Sequence, residues 1–398
     1  MWRRQLLRAG AGVAAVPVVR GRATRGDDNT RDRNDTQGEN DARDDQDDQA
    51  DDRDADADVE RVFEDTYDEP GLATGVSHSG ETVLFGFDDG NVMLVDAERD
   101  GSVTRIPIER SVSHVLVRET AGTAVLGWMD ADLFGFFDLA IEDGPAIQHP
   151  ELWDLDATPD ATAVASVSQP PGGPGSVALS GDDGEVRWET RFDDAVGETV
   201  AIADDAAHVA VGTVRYGQYG EVGGSPGVHL FDGDGEQRWR HDSDKGVLSV
   251  GIDADRERVA AGTDAGDVLA LDFEGEPLWE VADAGAWPVL ADDGATVVSS
   301  DVGETVALDA ATGEERWRVG TDVWAAEDLS ISADGSRALL AVRGEADFAL
   351  VDDGEVRWSA SEDVGPGIGA LAGNGQTWTT TVTDLDAEES IVSSYRFA

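Results

Sequence analysis

The chain has 398 residues, with 84 Asp and Glu against 29 Lys and Arg, six His and no Cys, for a formal charge of −55. Such a charge leaves no basic face for phosphate, which excludes duplex nucleic acid as a generic partner and disfavours an anionic bilayer surface. The absence of cysteine excludes disulfides, thiolate metal sites, haem attached through C-x-x-C-H, cysteine nucleophiles and a lipidated cysteine.

The N-terminus opens Met-Trp-Arg3-Arg4-Gln-Leu6-Leu7-Arg8 and then runs apolar from Ala9 to Val19. Such a run spans about 16 Å as a helix, roughly half a bilayer core, so it is not an ordinary membrane anchor. Its layout is that of an export signal, and Arg3-Arg4-x-Leu6-Leu7-Arg8 resembles the twin-arginine motif. No A-x-A cleavage site follows Val19. Residues 1–26 are therefore expected to be a twin-arginine-type signal that delivers the chain outside the cell or to its surface. The alternative is a basic N-terminus on a cytoplasmic protein. From Asp27 to Asp58 there are 15 acidic residues and four arginines, with no aromatic, Ile, Leu, Val or Met. That segment cannot bury enough apolar surface to offset its ordering entropy and is expected to be a disordered acidic linker. Its carboxylates lack the spacing and turn glycine of a calcium loop.

The folded region is expected over residues 59–398. Three 21-residue windows align without a gap, Val259–Trp279, Val297–Trp317 and Ala338–Trp358. Each reads as a strand, a Gly-containing turn, a second strand, then D-x-(x)-G-E and a tryptophan on a third strand. GDDGEVRW ending at Trp188 and GDGEQRW ending at Trp239 belong to the same series, with successive spacings of 51, 40, 38 and 41. Alternating Val, Ala, Leu and Ile between Gly/Asp turns is strand patterning, and a period near forty signals propeller blades. Degenerate copies place Ile106 and Ile147 at the tryptophan position. Innermost strands are read at Val112–Arg118, Val200–Ala203, Val247–Ile252, Trp287–Leu290 and Leu329–Ser332. Seven complete units run from about Leu72 to Ala360. Three C-terminal strands near Ile368–Ala372, Trp378–Thr383 and Ile391–Phe397 remain, together with Val59–Glu64, whose Phe63 stands 43 residues before Ile106. The fold class is thus an all-β propeller of four-stranded antiparallel blades, eight in number, the last shared between the chain ends. Sharing closes the ring and leaves no open edge in it. A seven-bladed ring with a loose tail is the alternative.

ALDAATGEERW (Ala307–Trp317) resembles the tryptophan-docking repeat A-x-D-x-x-T-G-E/K-x-x-W of pyrroloquinoline-quinone-type β-propellers, and ALDFEGEPLW and LFDGDGEQRW are weaker copies. The resemblance implies that Asp and Gly shape the turn before the outermost strand and that the tryptophan stacks on the neighbouring blade. Trp188, Trp239, Trp279, Trp317 and Trp358 then act as inter-blade staples. Quinone-dependent dehydrogenases of this family use an adjacent cysteine pair and long ligand-bearing inserts, for which this chain has no matching positions. The family also contains non-catalytic members, notably the eight-bladed assembly scaffold of bacterial outer-membrane insertion, that use their loop surface as a docking platform.

Other candidate sites are sparse. His78, His114, His149, His208, His229 and His241 show no H-x-H or H-x-x-x-H pairing, so no metal site is assigned. Asp232-Gly-Asp234-Gly235 resembles half a calcium loop but falls where other blades place a plain turn. No P-loop, G-x-S-x-G or strand-coupled G-x-G-x-x-G appears, and a carboxylate pair cannot be told from background in a chain this acidic. No catalytic residue and no cofactor are assigned. Two connections are oversized, Gln169–Gly175 (QPPGGPG) in the third blade and Arg215–Pro226 (RYGQYGEVGGSP) in the fourth. Both should emerge on one face, and Arg215, Tyr216 and Tyr219 are the candidate partner-binding residues. Acid-rich usage with a single lysine, Lys245, resembles that of extreme halophiles, and the reading is an exported, halophile-type, non-catalytic scaffold that binds a protein partner. A quinone-dependent oxidoreductase, a carboxylate-based hydrolase and an intracellular sensor propeller are the competing classes.

Overall fold

Alternating apolar residues between Gly/Asp turns form strands throughout the computed structural model. It describes residues 59–97, 102–108, 110–118, 122–128, 133–139, 142–149, 151–170, 174–218, 221–301, 303–321, 328–341, 346–362, 367–384, 387 and 389–397. Residues 1–26 and 27–58, expected from the sequence to be an export signal and an acidic linker, lie outside the described residues.

Eight antiparallel four-stranded sheets follow one another along the chain. The first blade is built from Gly71–Val76, Thr82–Phe87, Asn91–Asp96 and Ser102–Pro107, and the second from His114–Arg118, Thr123–Trp128, Leu133–Asp138 and Glu142–Gln148. The third holds Leu152–Ala157, Ala163–Ser168, Ser176–Gly181 and Val186–Arg191; the fourth holds Val196–Ile202, His208–Val214, Gly227–Asp232 and Gln237–Asp242. The fifth comprises Val247–Asp253, Arg258–Thr263, Val268–Asp272 and Pro277–Val281, the sixth Val289–Leu290, Thr296–Asp301, Glu304–Asp309 and Glu315–Gly320. The seventh comprises Asp328–Ile331, Arg337–Ala341, Ala346–Asp352 and Glu355–Glu362. The eighth joins Gly367–Leu371, Thr377–Asp384 and Glu389–Phe397 to the N-terminal strand Val59–Tyr67, which runs antiparallel to Glu389–Phe397 with Phe63 opposite Ser394. The ring is therefore eight-bladed and its last blade is shared between the chain ends.

The innermost strands touch one another in turn around a central channel, the first against the second and so on to the eighth against the first. The middle strands are the most buried, wholly so in Ala163–Ser168 and Ser176–Gly181, while outermost strands such as Glu315–Gly320 are largely exposed. Apolar clusters lie between successive blades, so the core is a series of inter-blade layers rather than one centre. The innermost strand of the sixth blade is shorter than its sequence suggests. Pro288 has no N–H to give to a ladder, and pairing is confined to Val289 and Leu290.

The five repeat tryptophans share one local geometry. In each outermost strand the ladder slips by one residue immediately before the tryptophan, at Leu179/Ser180, Leu230/Phe231, Ala270/Leu271, Ala307/Leu308 and Leu350/Val351 of the partner strand. Such a bulge re-aims the following side chain. Trp188 Nε1 donates to Gly233 O at 3.0 Å, Trp239 Nε1 to Phe273 O at 2.9 Å and Trp279 Nε1 to Ala310 O at 3.0 Å, each in the next blade. The rings lie on turn glycines. A Cβ at Gly235 would stand 2.7 Å from Trp188, at Gly275 3.0 Å from Trp239, at Gly313 2.8 Å from Trp279 and at Gly354 2.9 Å from Trp317. These four glycines have φ between +72° and +85°, so both backbone and ring require a residue without Cβ. Trp358 meets the shared blade instead, with Trp378 at 5.6 Å and Tyr395 at 5.0 Å between ring centroids.

Candidate functional site

An innermost strand is a sheet edge, and the polar groups it turns toward the channel need partners. In the third and fourth blades carboxylates supply them. Asp154 Oδ2 accepts from Val200 N at 3.0 Å and Asp156 Oδ2 from Ile202 N at 3.1 Å, which ties one innermost strand to the next. Arg118 extends the tie backward, donating to Asp156 Oδ1 at 3.1 Å and to Ala157 O at 2.7 Å. Elsewhere hydroxyls do the same work: Ser249 Oγ donates to Pro288 O at 2.8 Å, and Ser330 Oγ accepts from Leu371 N at 3.0 Å.

Glu198, on the innermost strand of the fourth blade, accepts from Gln169 Nε2 and from the Trp153 side chain. Burial raises its pKa to about 7, the Asp154 charge pushes the same way, and its two donors oppose the shift. Asp154 is raised to about 6, again by burial first, against hydrogen bonds from the Val200 and Leu155 backbone. Asp156 is raised by burial and held back by Arg118, and Asp204, just past the innermost strand of the fourth blade, is raised by burial and by the charges of Asp292, Asp156 and Asp255. The channel wall at these two blades is thus strongly acidic and partly protonated near neutral pH. Sequence patterning did not single out Asp154 or Glu198 among 84 carboxylates. The available signal was their position, since innermost strands such as Gly71–Val76 and Gly367–Leu371 carry no charged residue at all.

The two oversized connections are anchored beside this wall. Gly175 N donates to Ala195 O at 2.9 Å and Ser225 N to Asp194 O at 3.1 Å, so both close on the same link between the third and fourth blades. Gln169, at the start of the first connection, reaches Glu198, which couples that loop to the channel wall. The second connection is not an irregular loop: Tyr216–Gln218 pairs with Glu221–Gly223 as a small hairpin standing on the blade. The Arg215 guanidinium is exposed, donates to Asp244 O at 3.1 Å and forms no ion pair among the described residues. The Tyr216 backbone begins the hairpin opposite Gly223, and Tyr219 lies outside the described residues. Beside Asp244, the chain's single lysine, Lys245, pairs with Asp267.

Beneath both connections sit buried histidines. His149 Nδ1 meets Ser166 Oγ at 2.8 Å and its Nε2 meets Ser176 Oγ at 3.0 Å. His229 lies between Thr213 Oγ1 at 3.3 Å and Gln237 Oε1 at 3.1 Å, and burial lowers its pKa to about 4. Both are thereby core residues that support the loop bases. Among the described residues no group of three or more His, Asp or Glu is arranged to hold a metal ion, and no helix is long and apolar enough to cross a membrane. Asp232 Oδ1 accepts from Asp234 N at 3.1 Å and Glu236 N at 2.9 Å, which makes it the cap of a turn.

A family profile described as outer membrane protein assembly factor BamB matches residues 148–280, 225–361 and 274–387, together more than half of the chain. Among solved structures, the C-terminal WD40 domain of Sif2 superposes with a TM-score of 0.66 over 84% of this chain and 97% of that one, at 10% identity, a likeness of fold alone. No curated protein sequence matches.

Proposed function

The chain belongs to the propeller family described as outer membrane protein assembly factor BamB, and on that premise we propose that it is a non-catalytic scaffold that binds a protein partner on the face carrying its two oversized connections. The observation that carries this reading is the convergence of both connections on the Asp194–Ala195 link, beside an arginine that forms no ion pair among the described residues, in a chain of −55. A rigid ring holds the hairpin base, so little entropy is lost when a partner settles on it. Arg215 offers a planar cation able to pair a carboxylate bidentately, and tyrosines offer apolar area with a hydroxyl to satisfy. In a milieu of acidic proteins most of the rim repels, which leaves this face as the attractive one.

Arg3-Arg4 and the short apolar run behind them support export by the twin-arginine route, which carries folded proteins. Changing both arginines to lysine should retain the protein inside the cell. For binding, wild type and the triple variant Arg215→Ala, Tyr216→Ala, Tyr219→Ala are used as baits in high-salt extract. The partner should be recovered by wild type only, and calorimetry with it should then show a loss of about 1–4 kcal/mol. Equal recovery and equal affinity would show that the hairpin is an insertion without a role in binding.

A second reading, hydrolysis by the Asp154–Glu198 pair, has the raised Glu198 in its favour, because a general acid must keep its proton near neutral pH. It requires turnover of a glycoside or ester that Glu198→Gln abolishes. For quinone chemistry, added pyrroloquinoline quinone with calcium should give neither dye-linked alcohol oxidation nor a shift in melting temperature.

A further inference from the structure

The interface between the eighth blade and the first sets unlike surfaces against each other. Strand alternation and the pairs Thr379↔Ser394, Thr381↔Val392 and Thr383↔Ser390 put these six residues on one face of the C-terminal strands. Gly71 shows which way that face points. Its amide donates to Ser390 Oγ at 2.6 Å, its carbonyl accepts from Thr383 Oγ1 at 3.1 Å, and a Cβ on it would overlap Thr381 Cγ2. The face therefore meets the first blade, where Val83, Phe85, Phe87, Met93 and Val95 are fully buried. Val392 is the one buried apolar residue that the C-terminal strands add to that cluster; the half-buried Phe63 and Tyr67 come from the N-terminal strand. Five hydroxyls thus confront an aliphatic and aromatic wall. Thr381 Oγ1 and Ser394 Oγ are buried there without a hydrogen-bond partner among the described residues.

The opposite face of the same strands carries the large apolar side chains, with Thr380 and Ser393 as its buried hydroxyls. Leu371, Trp378 and Val382 pack with Leu339, Phe348, Leu350 and Trp358 of the seventh blade. The chain also runs directly from the seventh blade into these strands, whereas they meet the first blade only through side chains, turn contacts and the ladder with Val59–Tyr67. Buried apolar area holds one side, and hydrogen bonds that water can replace hold the other.

We propose that the ring opens reversibly at this seam, with residues 367–397 leaving the first blade and the strand Val59–Tyr67 together while remaining packed on the seventh blade. Opening is a subglobal event, well below global unfolding in free energy, and it is where the closed ring yields first.

Native-state hydrogen exchange on the full chain in molar salt tests this. Amides of the Val59–Tyr67 and Glu389–Phe397 ladder should exchange as one unit, about a hundredfold or more faster than those of Ala163–Ser168 in the third blade. Thr381→Val replaces a buried unpartnered hydroxyl by a methyl of the same shape and should slow that unit roughly tenfold while leaving the third blade unmoved. Gly71→Ala, which wedges the seam, should speed it by a similar factor. If Gly71→Ala does not fold, Thr381→Val and Ser394→Ala decide alone. Ladder exchange at the same rate as the third blade, or rates unmoved by both hydroxyl replacements, would overturn the proposal.

Discussion

Glu198 shows how much a single side chain on the channel wall shapes the pH response. Its folded pKa of about 7 stands above the model-compound 4.5, so the fold disfavours its ionised form. A carboxyl raised in this way contributes stability that is intact below the unfolded pKa and is lost as pH rises through the folded one. Wild-type stability should therefore fall between about pH 4.5 and 7, in parallel with the smaller contribution of Asp154, raised to about 6. Glu198→Gln keeps the acceptor for Gln169 and removes the charge. Urea unfolding at pH 8 should show the variant more stable by about 1–3 kcal/mol, with no gain at pH 4. Equal stability at both pH values would show that Glu198 is solvated rather than buried. The turn carboxylates behave oppositely. Hydrogen bonds from Thr158 and Thr162 lower Asp160, from Arg316 and Thr312 lower Asp309, and from Ser332 and Ser336 lower Asp334. What they contribute is present above the unfolded carboxyl pKa and disappears as pH falls through their depressed values. The two classes have the same residue types and the same abundance of neighbours, so composition could not separate them; burial on an innermost strand against exposure in a turn does.

Among the elements, the tryptophan-bearing strands were the most legible, because D-x-(x)-G-E-x-x-W binds three requirements into adjacent residues. The Asp carboxylate caps the turn, as Asp272 Oδ1 does for Glu274 N and Glu276 N at 3.0 and 2.8 Å. The glycine takes positive φ, and the aromatic ring leaves for the turn of the next blade in the ring. Hidden from the sequence were the bulge that aims the ring and the identity of its acceptor, since both depend on pairing across strands and blades. The same reason hid the hairpin at Tyr216–Gln218: three-residue strands rich in glycine carry no alternation to read. A coupling measurement tests the docking directly. Trp279→Ala should cost about 3–5 kcal/mol, as large aromatic truncations do in packed layers. Gly313→Ala, at φ +72° and 2.8 Å from the same ring, should cost about 1–3 kcal/mol through strain and overpacking. Because both act on one contact, the double variant should fall short of the sum by at least about 0.5 kcal/mol. Strict additivity would mean that ring and turn are energetically independent.

At the scale of the whole molecule the closed ring was foreseen by counting strands, and the count worked because every blade needs four and the termini supplied one and three. Closure brings the carboxylates of all eight blades onto one small body. The chain's 29 basic residues cannot neutralise 84 acids, and most ion pairs present, such as Arg105–Asp65 at 2.9 Å and Arg396–Glu60 at 3.2 Å, lie at the surface, where each contributes little. What remains is self-repulsion that favours the expanded chain. Its range is set by salt: the Debye length is about 10 Å at 0.1 M and about 3 Å at 1 M, shorter than the roughly 10 Å between packed sheets. Folding should thus strengthen steeply as salt rises toward molar concentration and change far more slowly beyond it. Sodium and potassium chloride should act nearly alike, because screening depends on ionic strength rather than on a specific cation. Thermal unfolding across 0.1–3 M of each salt measures this. A melting temperature independent of salt would show that the acidic surface is neutralised in some other way. A strong preference for one cation would replace general screening with site binding.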